Sequence, residues 1–276
     1  MKLEVRFPEK RAFVTGAASG LGLAICEYLA ERGWRLFMAD INSERLAQAK
    51  ERFDTQAVES HTLTLDVSQD AELKRAASAV EEQWGGIDLV FNNAGIASAG
   101  KMETVPLEEW NRVIDIDLWS VIHGCRAFIP MLKAQRSGYI INTASSAGTL
   151  AAAEMASYNV AKAGVVSISE TLKVELSDHN IGVTVICPTI FRTQLGESIT
   201  DDEGMSKKLK RQLIETKVTS EDIVKDLFSK IDKNRLYVIT QKDALWGWRF
   251  KRLFPELWLK LCCYFYVRRK WIFSNQ

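Results

Sequence analysis

"TGAASGLG", Thr15–Gly22, places three glycines and two alanines in eight positions, directly after the apolar run "RAFV" and before "LAICEYLAERG". A turn with so few side chains between a strand and a helix lets a ligand's phosphates approach the backbone. The helix N-terminus then supplies free N–H groups and the positive end of its dipole. An ordinary flexible turn is the alternative. The position, at the first strand-to-helix crossover, favours ligand binding, because ligands of such sheets sit outside the C-terminal ends of the strands.

Working outward, strand-like and helix-like segments alternate. "RAFVTGA", "RLFMAD", "HTLTLDV", "IDLVFNNAG", "GYIINTAS", "GVTVICPT" and "RLYVIT" read as strands. Between them lie helical patterns, including "SERLAQAKERF" with Ser43 as its N-cap, "DAELKRAASAVEEQW", a long helix from about Pro106 to Lys133, and "SYNVAKAGVVSISETLKVELSDHN". Parallel strands joined by helical crossovers bury both sheet faces. The expectation is an α/β fold, a doubly wound Rossmann-type parallel sheet of about seven strands, in a single domain over residues 1–240 with a helical tail over 241–276.

The chain has 276 residues, 47% of them apolar, which suits one large core. A net charge of +1 argues against a nucleic-acid partner. Cys26, Cys125, Cys187, Cys262 and Cys263 show no metal-ligand spacing, and no metal is expected. They read as reduced thiols of a cytoplasmic chain. No run of signal-peptide or membrane-span length is seen.

The second strand ends at Asp40, 18 residues after Gly22. A carboxylate there can accept hydrogen bonds from both ribose hydroxyls of an adenosine and repels a 2′-phosphate, which favours NAD over NADP. Asp40 could instead cap the turn at Asn42 and Ser43. Tyr158 and Lys162 lie four apart on a helix and so share a face. A free tyrosine has a pKa near ~10. A neighbouring ammonium and the charge of an NAD⁺ nicotinamide both favour phenolate, and bringing the group into the neutral range takes roughly 4 kcal/mol. Ser145 ends the "YIINTAS" strand, where its hydroxyl can meet a substrate oxygen.

The glycine spacing, "NNAG" at Asn92–Gly95 and "SYNVAK" with Tyr158 and Lys162 together resemble the short-chain dehydrogenase/reductase family, over Lys10 to about Thr240. The resemblance implies Tyr158 as acid/base, Ser145 as partner of the substrate oxygen, and Lys162 as tuner of Tyr158 and holder of the nicotinamide ribose. It implies a cofactor site of Gly16, Ser19, Gly20, Leu21, Gly22, Asp40, Asp66, Val67, Asn93, Ala94, Gly95, Tyr158, Lys162, Pro188, Ile190 and Thr193. Two positions depart from the family pattern. Asp117 stands where the family usually has an asparagine that holds a water in a proton path, and Thr189 stands where a glycine is usual. Asp117 is expected to pair with Lys162 and alter the pH profile.

Residues 190–215 resemble the family's substrate lid. Ile190, Phe191, Leu195, Ile199 and Met205, with Ala151, Ala152 and Met155 facing them, suggest an apolar pocket for a hydrophobic secondary alcohol or ketone, or else simply pack the lid shut. Arg192 is the one candidate carboxylate clamp. The long helices match those that pair subunits in the family, implying a homodimer or homotetramer. The expected function is an NAD(H)-dependent oxidoreductase; an NADPH-dependent carbonyl reductase and a non-catalytic NAD-binding scaffold are the alternatives.

The tail has its own character. Of the chain's 36 basic and 35 acidic residues, seven and one fall between Trp246 and Phe273, so this stretch carries +6 and the remainder −5. Trp246, Phe250, Leu253, Phe254, Leu257, Trp258, Leu261 and Phe265 recur at helical spacing, with Pro255 expected to divide two short helices. Such a pattern suits peripheral contact with an anionic membrane surface, or packing on the body or on another subunit.

Overall fold

Seven strands pair in parallel in the order β3-β2-β1-β4-β5-β6-β7 in the computed structural model, which describes residues 3–199 and 204–274, with 269–274 as backbone alone. Residues 200–203 of the expected lid and 275–276 of the tail lie outside the described residues. The strands are β1 (Arg11–Thr15), β2 (Arg35–Asp40), β3 (Ser60–Thr64), β4 (Leu89–Asn92), β5 (Gly138–Thr143), β6 (Ile181–Ile186) and β7 (Tyr237–Val238). A short helix α1 (Leu3–Arg6) precedes them, and Phe7 after it packs edge-on to Trp34.

The two-residue period of each strand sends alternate side chains to opposite faces. Ala12, Val14, Leu36, Met38, Leu89 and Phe91 point into one core, with α2 (Gly20–Ala30), α3 (Ser43–Thr55) and α10 (Ser220–Ile231). Phe13, Phe37, Val90, Ile140 and Val183 point into the other, with α4 (Asp70–Trp84), α6 (Ser120–Gln135) and α8 (Ala156–Glu175). Strand order reverses between β1 and β4, so their C-terminal ends splay into a crevice.

Several local boundaries differ from the sequence expectation. The N-cap of α3 is Asn42, whose side chain accepts from the Arg45 N–H at 3.0 Å, not Ser43. The expected single helix from Pro106 is α5 (Leu107–Ile114), a π-helical turn (Asp115–Trp119) and then α6, with Pro106 at the N-cap position. The last strand has two residues, and α7 (Ser146–Leu150) intervenes before α8. The tail forms α11 (Lys242–Leu253) and α12 (Pro255–Ser274), so Pro255 opens a helix of 20 residues rather than a short one. Among the described residues no helix is long and apolar enough to cross a membrane.

Candidate active site

The glycine turn joins β1 to α2 at the reversal of strand order. Gly16 and Gly20 have φ of +64° and +52°, the left-handed region where a side chain is strained. A Cβ on Gly16 would stand 2.9 Å from the Ala94 Cα, and one on Gly22 would stand 2.0 Å from the Gly16 carbonyl oxygen. The Thr15 hydroxyl ties this turn to the "NNAG" segment: it accepts from the N–H groups of Asn93 (2.9 Å) and Ala94 (3.0 Å) and donates to the Phe91 carbonyl. Asn93 Nδ2 donates back to the Thr15 carbonyl at 3.0 Å. At the N-terminus of α2 the Gly20 N–H is met by Gln194 Oε1 at 3.2 Å, so this donor is satisfied by a neutral amide that a phosphate oxygen could replace.

A cleft of about 360 Å³ opens along this edge. It is lined by Gly16, Ser19, Gly20, Leu21, Asp40, Asp66, Val67, Asn93, Ala94, Gly95, Tyr158, Lys162, Pro188 and Thr193. Gly22 lies behind the turn and Ile190 packs against the cluster of Ile199, Leu209 and Leu213, so neither lines it. The Asp40 carboxylate faces the cleft and also serves its local turn, accepting from Ala18 N–H (3.0 Å) and Asn42 N–H (2.9 Å). Arg45, five residues later, lines the same end and pairs with Glu197 at 3.0 Å, joining α3 to the 3₁₀ turn Gln194–Ser198. Its one sequence signal was a cation five residues after Asp40, in the first turn of the next helix. The shape, the glycine-tolerant backbone, the helix N-terminus and the carboxylate all suit an adenine dinucleotide.

Ser145, Tyr158 and Lys162 come together deeper in. Ser145 lies two residues past the end of β5 as the N-cap of α7; its hydroxyl accepts from the Ala147 N–H at 3.2 Å and donates to the Pro188 carbonyl at 3.4 Å. Tyr158 and Lys162 lie one turn apart on α8, both buried, with the Lys162 Nζ 5.6 Å from the Tyr158 ring centroid. Lys162 Nζ donates to the Thr143 carbonyl at 3.2 Å and pairs with Asp117 at 3.5 Å.

Asp117, on the π-helical turn, is fully buried. Its Oδ1 accepts from the Ile96 N–H at 2.8 Å, while Oδ2 has no partner among the described residues. Burial raises its pKa against the pull of Lys162 and the Ile96 N–H. In the chain alone the Tyr158 pKa is raised, first by burial and then by the Asp117 carboxylate, with a Ser145 hydrogen bond opposing, whereas the lowering expected from the sequence counted a bound NAD⁺ as well. The Lys162 ammonium is paired with Asp117, whose charge opposes its pull on the phenol.

The residues expected to form a lid pack mostly on one another. Ile199, Leu209 and Leu213 cluster with Ala97 and Ala99, and Met155, Ile190, Leu195 and Met205 pack against them. The Ser206 hydroxyl, on α9 (Gly204–Glu215), donates to the Ala99 carbonyl at 2.9 Å. Phe191 instead enters the central core, while Ala151 and Ala152 stay exposed outside the cluster. Arg192 is directed away from the cleft, donating to the Thr216 carbonyl at 3.3 Å beside a separate cavity between α2 and α10.

Comparison with known proteins agrees with this geometry. The short chain dehydrogenase family model matches residues 10–204. The 1-deoxy-11-beta-hydroxypentalenate dehydrogenase of Streptomyces avermitilis is 28% identical over 253 residues, covering 91% of this chain and 90% of that one. The D-beta-hydroxybutyrate dehydrogenase of Rhizobium meliloti is 28% identical over 239 residues, covering 85% and 88%. A short-chain dehydrogenase/reductase from Burkholderia phymatum, solved in complex with NAD, superposes with a TM-score of 0.86 at 29% identity, over 91% of this chain and 96% of that one. The chain belongs to the short-chain dehydrogenase/reductase family and is an oxidoreductase of the nicotinamide-dependent kind.

Proposed function

We propose that this protein interconverts a hydrophobic secondary alcohol and its ketone with NAD(H), using Tyr158 as the proton donor and acceptor. The observation that carries the reading is the convergence of Ser145, Tyr158 and Lys162 beside a cleft whose far end presents the Asp40 carboxylate. When bound, the nicotinamide ring accepts or supplies the hydride. Ser145 holds the substrate oxygen through its hydroxyl, and Tyr158 delivers a proton to that oxygen or takes one from it. Burial keeps Tyr158 neutral in the chain alone, the form that donates a proton during carbonyl reduction. Lys162 binds ribose hydroxyls and fixes the tyrosine's surroundings.

NAD is favoured over NADP because Asp40 repels a 2′-phosphate and the nearby Arg45 charge is neutralised by Glu197. The apolar cluster of Met155, Ile190, Leu195, Ile199 and Met205 supports a hydrophobic substrate under a lid spanning 190–215. The two named relatives, both dehydrogenases of hydroxy compounds, support the reaction class. Exposed Leu107, Trp119, Val160 and Val174 on or between α5 and α8 support pairing of subunits through these helices, as a homodimer or homotetramer.

The test is NADH formation from NAD across a panel of apolar secondary alcohols, with Tyr158→Phe alongside. Turnover should fall about 10²–10⁴-fold in the variant. Turnover unaffected by the substitution would overturn the assignment of Tyr158.

A further inference from the structure

The C-terminal helices carry a surface that the active site does not use. α11 is anchored to the body: Ala244 is buried, Trp248 packs on Tyr237 with ring centroids 4.9 Å apart, and Lys251 Nζ donates to the Thr149 carbonyl at 2.8 Å. α12 folds back so that Trp258 meets Phe250 and Gly247, and the Tyr266 hydroxyl donates to Glu154 Oε1 at 2.7 Å. Elsewhere on α12 Leu257, Leu259, Leu261, Tyr264, Phe265 and Val267 are 48%, 51%, 39%, 50%, 64% and 64% exposed. A group of large apolar side chains in water marks a docking surface.

Charge identifies what docks. The segment from Trp246 to Phe273 holds seven basic residues and the single acid Glu256, against a net −5 for the remainder. Exposed Arg249 and Arg268 sit over the rings of Trp246 (5.2 Å) and Tyr264 (4.9 Å), with Arg252 and Lys260 exposed nearby. Rings with an apolar body and cations at their edges are suited to the boundary between acyl chains and headgroups. A two-fold contact between copies through this face would set like charges against one another. No described helix can cross a bilayer, so contact must be in the surface plane. The acidic body is repelled by an anionic surface, which leaves the tail as the face that meets it.

We infer that α11 and α12 dock this protein on an anionic phospholipid bilayer. Docking this way also brings α7, which starts beside Ser145, and the loop at Glu154, four residues before Tyr158, towards the surface. The inference rests on the tail alone and is independent of the proposed reaction.

Flotation of the full chain with vesicles tests it. One vesicle is phosphatidylcholine and the other an equal mixture of phosphatidylglycerol and phosphatidylcholine. The chain should float with the mixed vesicles and remain below with the neutral ones, and added salt should weaken the association. Leu261→Glu/Phe265→Glu and, separately, Lys260→Glu/Arg268→Glu should each lower the bound fraction about tenfold. All four side chains are exposed, so thermal melting should be unchanged. No flotation of the wild type, or equal flotation on both vesicles, overturns the inference. So does lipid-free self-association that the apolar pair of substitutions abolishes without any vesicle binding by the wild type. The wild-type comparison decides the matter even if a variant misfolds.

Discussion

The Asp117 carboxylate lies 3.5 Å from the Lys162 ammonium, and both side chains are shut away from solvent. The pair sets an acid where the family usually has a neutral amide, so the lysine charge that would favour a phenolate is already engaged. Asp117 itself further disfavours ionisation of Tyr158. A raised phenol pKa means less phenolate at a given pH and therefore slower alcohol oxidation on the acid side. In Asp117→Asn the carboxylate charge is gone, Lys162 is released to act on Tyr158, and an acceptor for the Ile96 N–H remains. The pKa governing kcat/KM for oxidation should move down by about one pH unit. An unshifted pH–rate profile would remove Asp117 from the control of Tyr158.

Asp40 is expected to set cofactor choice. Asp40→Ser keeps an acceptor for the Ala18 and Asn42 N–H groups while removing the negative charge from the cleft. The ratio of kcat/KM with NADP to that with NAD should rise about 10- to 100-fold, since juxtaposed like charges cost several kcal/mol. Kinetics with both cofactors checks this. Retained NAD preference would place the discrimination elsewhere, for instance in the Arg45–Glu197 pair.

Gly22 supports the turn from behind. A methyl group there would meet the Gly16 carbonyl oxygen at 2.0 Å, a backbone atom with no rotamer to change. Gly22→Ala should cost about 1–3 kcal/mol, by analogy with overpacking. Calorimetry should show melting lowered by roughly 2–10 °C. An unchanged melting temperature would mean that α2 can shift away from the turn at little cost.

Arg11 and Asp88 tie the start of β1 to the start of β4 on the side of the sheet opposite the cleft. Asp88 accepts two bonds from the guanidinium and one from the Arg11 N–H, and both side chains are nearly buried. Asp88→Ala leaves a charge and a backbone donor without this partner and should destabilise the fold by about 3–5 kcal/mol. Urea unfolding measures it. Asp88→Asn, which keeps an acceptor, should cost less.

Much of the architecture was legible in the chain before any coordinates. Alternation of short strand-like apolar runs with helical patterns marked all seven strands, and the glycine turn pointed to the edge where a ligand would lie. The four-residue spacing of Tyr158 and Lys162 placed them on one helix face, and Ser145 fell at a strand end. These features are local: each depends on backbone geometry within a few residues, which the sequence of that segment encodes by itself.

What lay between distant segments was decided only by packing. The π-helical turn aims Asp117 beneath Lys162, and burial first and this carboxylate second raise the Tyr158 pKa. Arg45 reaches Glu197 across 152 positions. Phe191 is drawn into the core, and Arg192 turns away to cap a loop carbonyl. The tail, uniform in composition, divides into a helix that grips the body and a helix whose described apolar side chains are mostly exposed. Burial and partnership of a charge depend on which remote surfaces meet. The one-dimensional pattern set each element and its apolar face, and the three-dimensional packing of those faces chose the neighbours that set the chemistry.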